Sequence, residues 1–247
     1  MMPATPPPLT ALYSMQPTAS EVHAPFSGLR LRAQREAAYT IAVQAGASWR
    51  YQQIDDYLHA QRINLDTLYN FSPLMLDNGR VAPPVVVQGG ENLDVQSARM
   101  AQAALATWEI VSDARIVSTP PNWRGYLIQH FNYDLTSVNP ALLPRNDSER
   151  AAWHIAVDKG WRDGVAEANY LFDLNLSRLV RDFVGMARFH LLAAEHVVSL
   201  PYLADGNLGV VVNNNRLVVG AHIYRITKLP AWQEPGEWKA SPYSPNP

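Results

Sequence analysis

Between Trp153 and Met186 the apolar residues Trp153, Val157, Trp161, Val165, Ala168, Phe172, Leu176, Leu179, Phe183 and Met186 follow one another in steps of four or three. An α-helix turns once in 3.6 residues, so these steps keep one stripe on one face. The stripe lasts about nine turns, and no other feature of the chain constrains the fold as strongly. Asn146 or Asp147 can cap its start, with Glu149 and Arg150 in the first turn. Gly160 and Gly164 lie inside the pattern and each weaken a helix by about 1 kcal/mol relative to alanine. They mark either a place where another element packs close or a break between two helices.

A second helical pattern precedes it. Leu31, Ala38, Ile41, Ala45 and Trp49 predict a helix from near Ser27 past Tyr57, with Gln34 interrupting the stripe in the first turns. "NLDTLYNFSPLML" reads as a short helix leading into a strand. "VAPPVVVQGG" is β-branched, and Pro83 and Pro84, which cannot donate to a ladder, suit an edge or the start of a strand. "ALATWEIVSDARIVS" favours strand by side-chain type, with a bend at Asp113. Near the end, two β-rich runs flank "NNN" and a third follows Gly220, with Leu217–Val219 and Ile223–Ile226 as returning strands. The order helix, strands, helix, strands lacks regular βαβ alternation and predicts an α+β fold, with long helices packed on an antiparallel sheet.

The two ends differ from the middle. Residues 1–25 hold six prolines, at 3, 6, 7, 8, 17 and 25, and read as an extended, disordered linker. The tail over 233–247, "QEPGEWKASPYSPNP", reads as flexible. A single α+β domain over 26–232 lies between them. Charged residues make up only 17% of the 247, against about 25% in ordinary soluble domains. That shortage is either chance or the mark of a surface covered by neighbours in an assembly, because charge is depleted at interface cores. The net charge of −2 gives no basic field for nucleic acid. No run approaches the roughly 18 apolar residues of a membrane span.

With no cysteine the chain offers no disulfide, thiolate metal site or cysteine nucleophile. This fits a reducing compartment, and equally a periplasmic protein without disulfides. No dinucleotide fingerprint, P-loop, H-E-x-x-H or nucleophile elbow occurs. His190, Glu195 and His196 gather at the end of the long helix, but six residues between the histidines do not put both on one face. Asp55 and Asp56 are adjacent and point to different sides of a helix. Arg178 and Asp182 have the spacing of a local ion pair, with Arg181 beside them. These observations predict no catalytic, cofactor-binding or metal-binding residues and no cofactor.

The segment "STPPNWRGYLIQHF", Ser118 to Phe131, is read as a short helix. Thr119 caps it, Pro120 takes its first position, and Trp123, Leu127, Ile128 and Phe131 plug the core. The alternative is a polyproline turn with an exposed Trp-Arg recognition surface.

Taken in order, "QAGASWR", "VAPPVVV", "STPPNWRGYL", "LLPRNDSERAAWHIAVDKGWRDGVAEANYLFDLNLSRLVRDFVGM", "LPYLADGNLGV" and "YRITKLP" resemble the DotC family over about residues 27–231. Its members are components of type IVB secretion systems, among them the Dot/Icm apparatus and the transfer machinery of I-type conjugative plasmids. The resemblance implies a structural subunit without enzymatic activity. It implies an exported lipoprotein on the periplasmic side of the outer membrane, joined in a ring-shaped core complex with DotD-like and DotH-like partners. Family lipoproteins carry a signal peptide ending in an acylated cysteine, which this sequence does not show. A stand-alone periplasmic protein binding cell-wall glycan, with Trp153 and Trp161 stacking on sugars, is the competing expectation.

Overall fold

The computed structural model of the chain describes residues 6–17, 28–90, 92–97, 100–104, 107–131, 138–213 and 215–239. It combines long helices with small antiparallel ladders, an α+β fold as the sequence predicts. The helices are α1 (Leu9–Tyr13), α2 (Gly28–Ala60), α3 (Arg62–Leu68), α4 (Trp123–Leu127) and α5 (Asp147–Ala194). The strands are β1 (Val81–Ala82), β2 (Val85–Gly89), β3 (Asn92–Ser97), β4 (Met100–Ala104), β5 (Thr107–Ser112), β6 (Arg115–Ile116), β7 (Tyr202–Asn213) and β8 (Arg216–Lys228). They pair antiparallel as β1–β6, β2–β5, β3–β4 and β7–β8, so the β structure is spread over four two-stranded ladders. The chain divides into two compact units, one of residues 1–64 and 126–176, the other of residues 65–125 and 177–247.

The first unit is organised by α2 and the first thirty residues of α5, and the glycines of the long pattern explain how they meet. A Cβ on Gly160 would lie 2.4 Å from the Tyr39 carbonyl oxygen, and one on Gly164 would lie 2.2 Å from that of Val43. From the other side, a Cβ on Gly46 would lie 2.6 Å from the Trp161 carbonyl oxygen. The glycines therefore admit a neighbouring helix backbone, and α5 continues through them without a break. Residue numbers rise together along the seam: Arg30 meets Glu149, Tyr39 meets Asp163 and Arg50 meets Asn169. The two helices run parallel. Ala38, Ile41, Ala42, Ala45, Trp153 and Val157 fill the seam and are buried.

The start of α5 is tied down twice. Asn146 is its cap, accepting the Glu149 amide at 2.9 Å, while Glu149 accepts the Arg145 amide at 2.9 Å. The other carboxylate oxygen of Glu149 receives Arg30 at 2.5 Å, and Arg30 also donates to the carbonyls of Ala141 and Leu143. A carboxylate at a helix N-terminus is favoured by the helix dipole as well.

The N-terminal linker expectation fails where the structure describes it. Residues 9–13 form α1, and Leu12 is fully buried in the core of the first unit. Proline-rich composition opposes a long helix but not a single turn after Pro8, and Leu9, Leu12, Tyr13 and Met15 supply apolar contact. The rest of the expected linker and Ser27, the expected helix start, lie outside the described residues.

In the second unit the last part of α5 carries the core. A Cβ on Gly185 would lie 2.4 Å from Val85 Cγ1 and 3.1 Å from the Val86 amide, so β2 packs directly on the helix. Arg188 donates to the Val86 carbonyl at 2.7 Å, and Phe183 makes edge contacts with Tyr69 and Phe71. Pro83 and Pro84 separate β1 from β2, as their missing donors require. The expected short helix into a strand is a helix (α3), a 3-10 turn at Ser72–Leu74 and a tight turn, with Asp77, Asn78 and Gly79 all at positive φ. The tail expectation also fails for residues 233–239: Trp238 donates to the Gln233 carbonyl, and the Lys239 amide to Glu195. Residues 240–247 lie outside the described residues.

α5 ends in a left-handed cap. His196 has φ +60°, its amide bonds the Ala193 carbonyl, and the Val197 amide bonds the Leu192 carbonyl at 2.8 Å. A non-glycine residue in this conformation costs roughly 1–2 kcal/mol. His196→Gly is therefore expected to raise stability by up to about 1 kcal/mol, read from urea unfolding followed by circular dichroism. Gly164→Ala is expected to lower it by about 1–3 kcal/mol although alanine is the better helix former, because the clash is with backbone. An alanine variant as stable as the parent would mean that the two helices part freely.

Candidate functional site

β7 and β8 make one hairpin. Its register runs from Tyr202 opposite Lys228 to Asn213 opposite Arg216. The tight turn falls in the "NNN" stretch, as its tolerance of positive φ predicts, although Asn214 itself is outside the described residues. The third strand expected after Gly220 is the same strand continuing. Gly220 sits at φ +69° as an extra residue in β8, and Leu208 is the matching extra residue in β7, so the pairing resumes in register beyond both. Gly209, at φ +62°, has its amide held by the Asn207 side chain at 2.7 Å.

Nothing on this hairpin is buried among the described residues from Tyr202 to Leu229. Val210 and Val219 sit directly opposite each other and are 59% and 73% exposed, and Leu217 is 65% exposed. Leu208 and Ile223 are each about half exposed. No third strand pairs with either edge among the described residues. The Arg80 guanidinium lies 4.6 Å from the Tyr224 ring centre, and within the hairpin His222 meets Asp205 across the strands at 2.7 Å. Chemically this is an apolar ribbon with two open edges, able to accept side-chain packing or backbone pairing.

The sequence did not single out this surface. "LGVVVN" reads as a β-rich run, and consecutive apolar residues normally have cover on both faces.

The residues considered for chemistry are dispersed. His190 Nε2 bonds the Leu74 carbonyl at 2.7 Å, while His196 is the exposed helix cap. Asp55 faces His59 at 3.5 Å and Asp56 accepts from Gln52 at 3.1 Å, so the two carboxylates have separate partners. Asp182 is buried and held by its neighbour Arg181 at 2.7 Å, where the i,i+4 spacing had pointed to Arg178. Among the described residues no group of three or more His, Asp or Glu converges on a point. A groove of about 350 Å³ between α2 and α5 is lined by Arg35, Tyr39, Ile155 and Lys159. Its lysine is engaged: Asp163 holds Lys159 above its ordinary pKa, and Lys159 with Tyr39 holds Asp163 below its own.

The "STPPNWRGYLIQHF" segment plugs the core with two of the four expected residues, while Ile128 and Phe131 lie past the end of the helix and are half-buried. Trp123 and Leu127 are both buried. The helix starts at Trp123, three residues later than expected, because a residue before proline is pushed out of the helical region and Pro120 precedes Pro121. Asn122 caps it in place of Thr119, accepting the Arg124 amide at 2.9 Å. Asp66 then closes the plug: it accepts Trp123 Nε1 at 2.7 Å and both terminal nitrogens of Arg124 at 2.5 and 3.1 Å, while the guanidinium lies 4.3 Å from the indole centre. Trp153 is also fully buried and donates to the Leu12 carbonyl, which leaves it no face for a sugar. Trp161 is half-buried against Trp49, with ring centres 5.4 Å apart.

The family described as type IV secretory system, conjugal DNA-protein transfer, matches residues 28–240. The chain belongs to that family and is a type IV secretion and conjugation protein. No curated protein matches it. No described helix is long and apolar enough to cross a membrane.

Trp123→Ala is expected to cost about 3–5 kcal/mol, the penalty for emptying a buried aromatic site, measured by thermal and urea unfolding. A melting curve like that of the parent would show that the indole fills no core.

Proposed function

We propose that the chain is a non-enzymatic structural subunit of a type IVB outer-membrane core complex. It stands on the periplasmic side of the outer membrane, repeated around a ring, and joins DotD-like and DotH-like subunits there without touching nucleic acid. Membership of a conjugal transfer family supports the setting. The observation that carries the structural role is the β7–β8 hairpin, whose apolar side chains and backbone edges lie open. An open ribbon of this kind is a template for unwanted pairing, and natural proteins cover or charge such edges. Here the covering is supplied by neighbouring subunits. The low charged fraction of 17% fits a surface that is largely shared.

The experiment is co-elution of the purified chain with folded DotD-like and DotH-like subunits at micromolar concentration. Val210→Asp and Val219→Asp are expected to leave unfolding stability within about 0.5 kcal/mol, because both sites are exposed. The same substitutions are expected to weaken association at least tenfold. Association that survives both substitutions unchanged removes the hairpin from the interface. Failure of the parent chain to bind either subunit removes the core-complex role.

A further inference from the structure

We propose that residues 6–17 are a displaceable arm, and that the seat it occupies on the first unit accepts the same arm from a second copy of this chain. Neighbouring copies would then be linked by exchanged arms. The proposal does not depend on the identity of the other subunits.

The arm has little order of its own. α1 is five residues long, far below the length at which an isolated helix persists in water. Its position is set by contacts to residues of α2 and of α5 and the segment before it. Leu12 is the anchor, fully buried beside Ala38, Ile41, Leu143, Trp153 and Val157. The Leu12 carbonyl accepts Trp153 Nε1 at 2.9 Å. The Tyr13 hydroxyl donates to the Asp158 carboxylate, and the Tyr13 ring packs on His154 with centres 4.6 Å apart. An apolar anchor, a backbone acceptor and a phenol donor read a Leu-Tyr pair, whichever copy supplies it.

The α2 stripe that lines the seat also carries a defect. Gln34 lies on that stripe with Ala38 and Ile41, is fully buried, and neither end of its amide has a hydrogen-bond partner among the described residues. A buried unpaired amide is costly, and water can satisfy it only when the cover lifts. An interface built only for permanence would place leucine there, at a position where the apolar pattern asks for it.

Reach permits exchange. Ten residues, 18–27, separate the arm from α2 in sequence, and a chain of that length can span at most roughly 33–36 Å. Exchange makes the same contacts between copies that one copy makes within itself, so only concentration and geometry choose between the two.

The test uses the full chain and a labelled peptide of residues 6–17. Leu12→Asp in the full chain empties the seat, so the peptide should bind it saturably and at least tenfold tighter than it binds the parent, whose own arm competes. The peptide carrying Leu12→Asp should not bind. Tyr13→Ala in the full chain, which leaves the buried anchor intact, should give an intermediate gain. Gln34→Leu should slow amide exchange across residues 9–14 at least threefold. For exchange itself, a Leu12→Asp chain mixed with a His154→Ala, Asp158→Asn chain should form a one-to-one complex in sedimentation that neither forms alone. Equal peptide affinity for parent and Leu12→Asp chains, or unchanged amide exchange in Gln34→Leu, overturns the displaceable arm. A mixture that stays monomeric overturns the exchange.

Discussion

The first unit rests on close approach of two helix backbones. Gly160 and Gly164 on α5 face Tyr39 and Val43 on α2, and Gly46 faces back at Trp161. Each side chain missing from these positions is replaced by contact with main chain, and the alanines at 38, 42 and 45 extend the same thin seam. The gain is dispersion and burial along many turns, with little side-chain entropy to lose. It exceeds the roughly 1 kcal/mol of helix propensity given up at each glycine. With the helices this close, the buried pairing of Arg30 with Glu149 can join their first turns. The second unit repeats the device once, where Gly185 lets β2 lie against the far part of α5.

Much of this was legible. The steps of three and four fixed both long helices to within a few residues, because a stripe of that length admits no other regular structure. Trp153 and Trp123 were placed in the core by their neighbours on one face. What was not legible depended on partners distant in sequence. Nothing near Arg30 announces Glu149, and nothing near Trp123 announces Asp66, since each pair is joined only by the fold. The helix α1 was hidden by its prolines, which argue about backbone freedom and are silent about a buried leucine. "DNG" at 77–79 is a turn signature that the reading of residues 64–76 as a short helix leading into a strand did not use.

The exposure of the β7–β8 hairpin was hidden for a different reason. Sequence patterns report which residues avoid water, and they do so in the same way whether cover comes from the same chain or from another. The valines of β7 and β8 therefore carry no mark of their exposure. Only the coordinates show that the two strands have no third strand and no buried residue among the described positions. Membership of a conjugal transfer family gives that exposure a context, because members of a secretion apparatus work as part of a larger whole.

The parallel course of α2 and α5 has a consequence for the timing of synthesis. Two neighbouring helices that point the same way cannot be joined by a short turn, and here residues 61–146 lie between them. When a ribosome has finished α2, the stretch that must lie against it, through Asn169, is still more than a hundred residues from completion. At about 5–20 residues per second that is a wait on the order of 5–20 s. Throughout it the alanine face of α2 stands bare, and the seam between the two helices closes only after that stretch has been made.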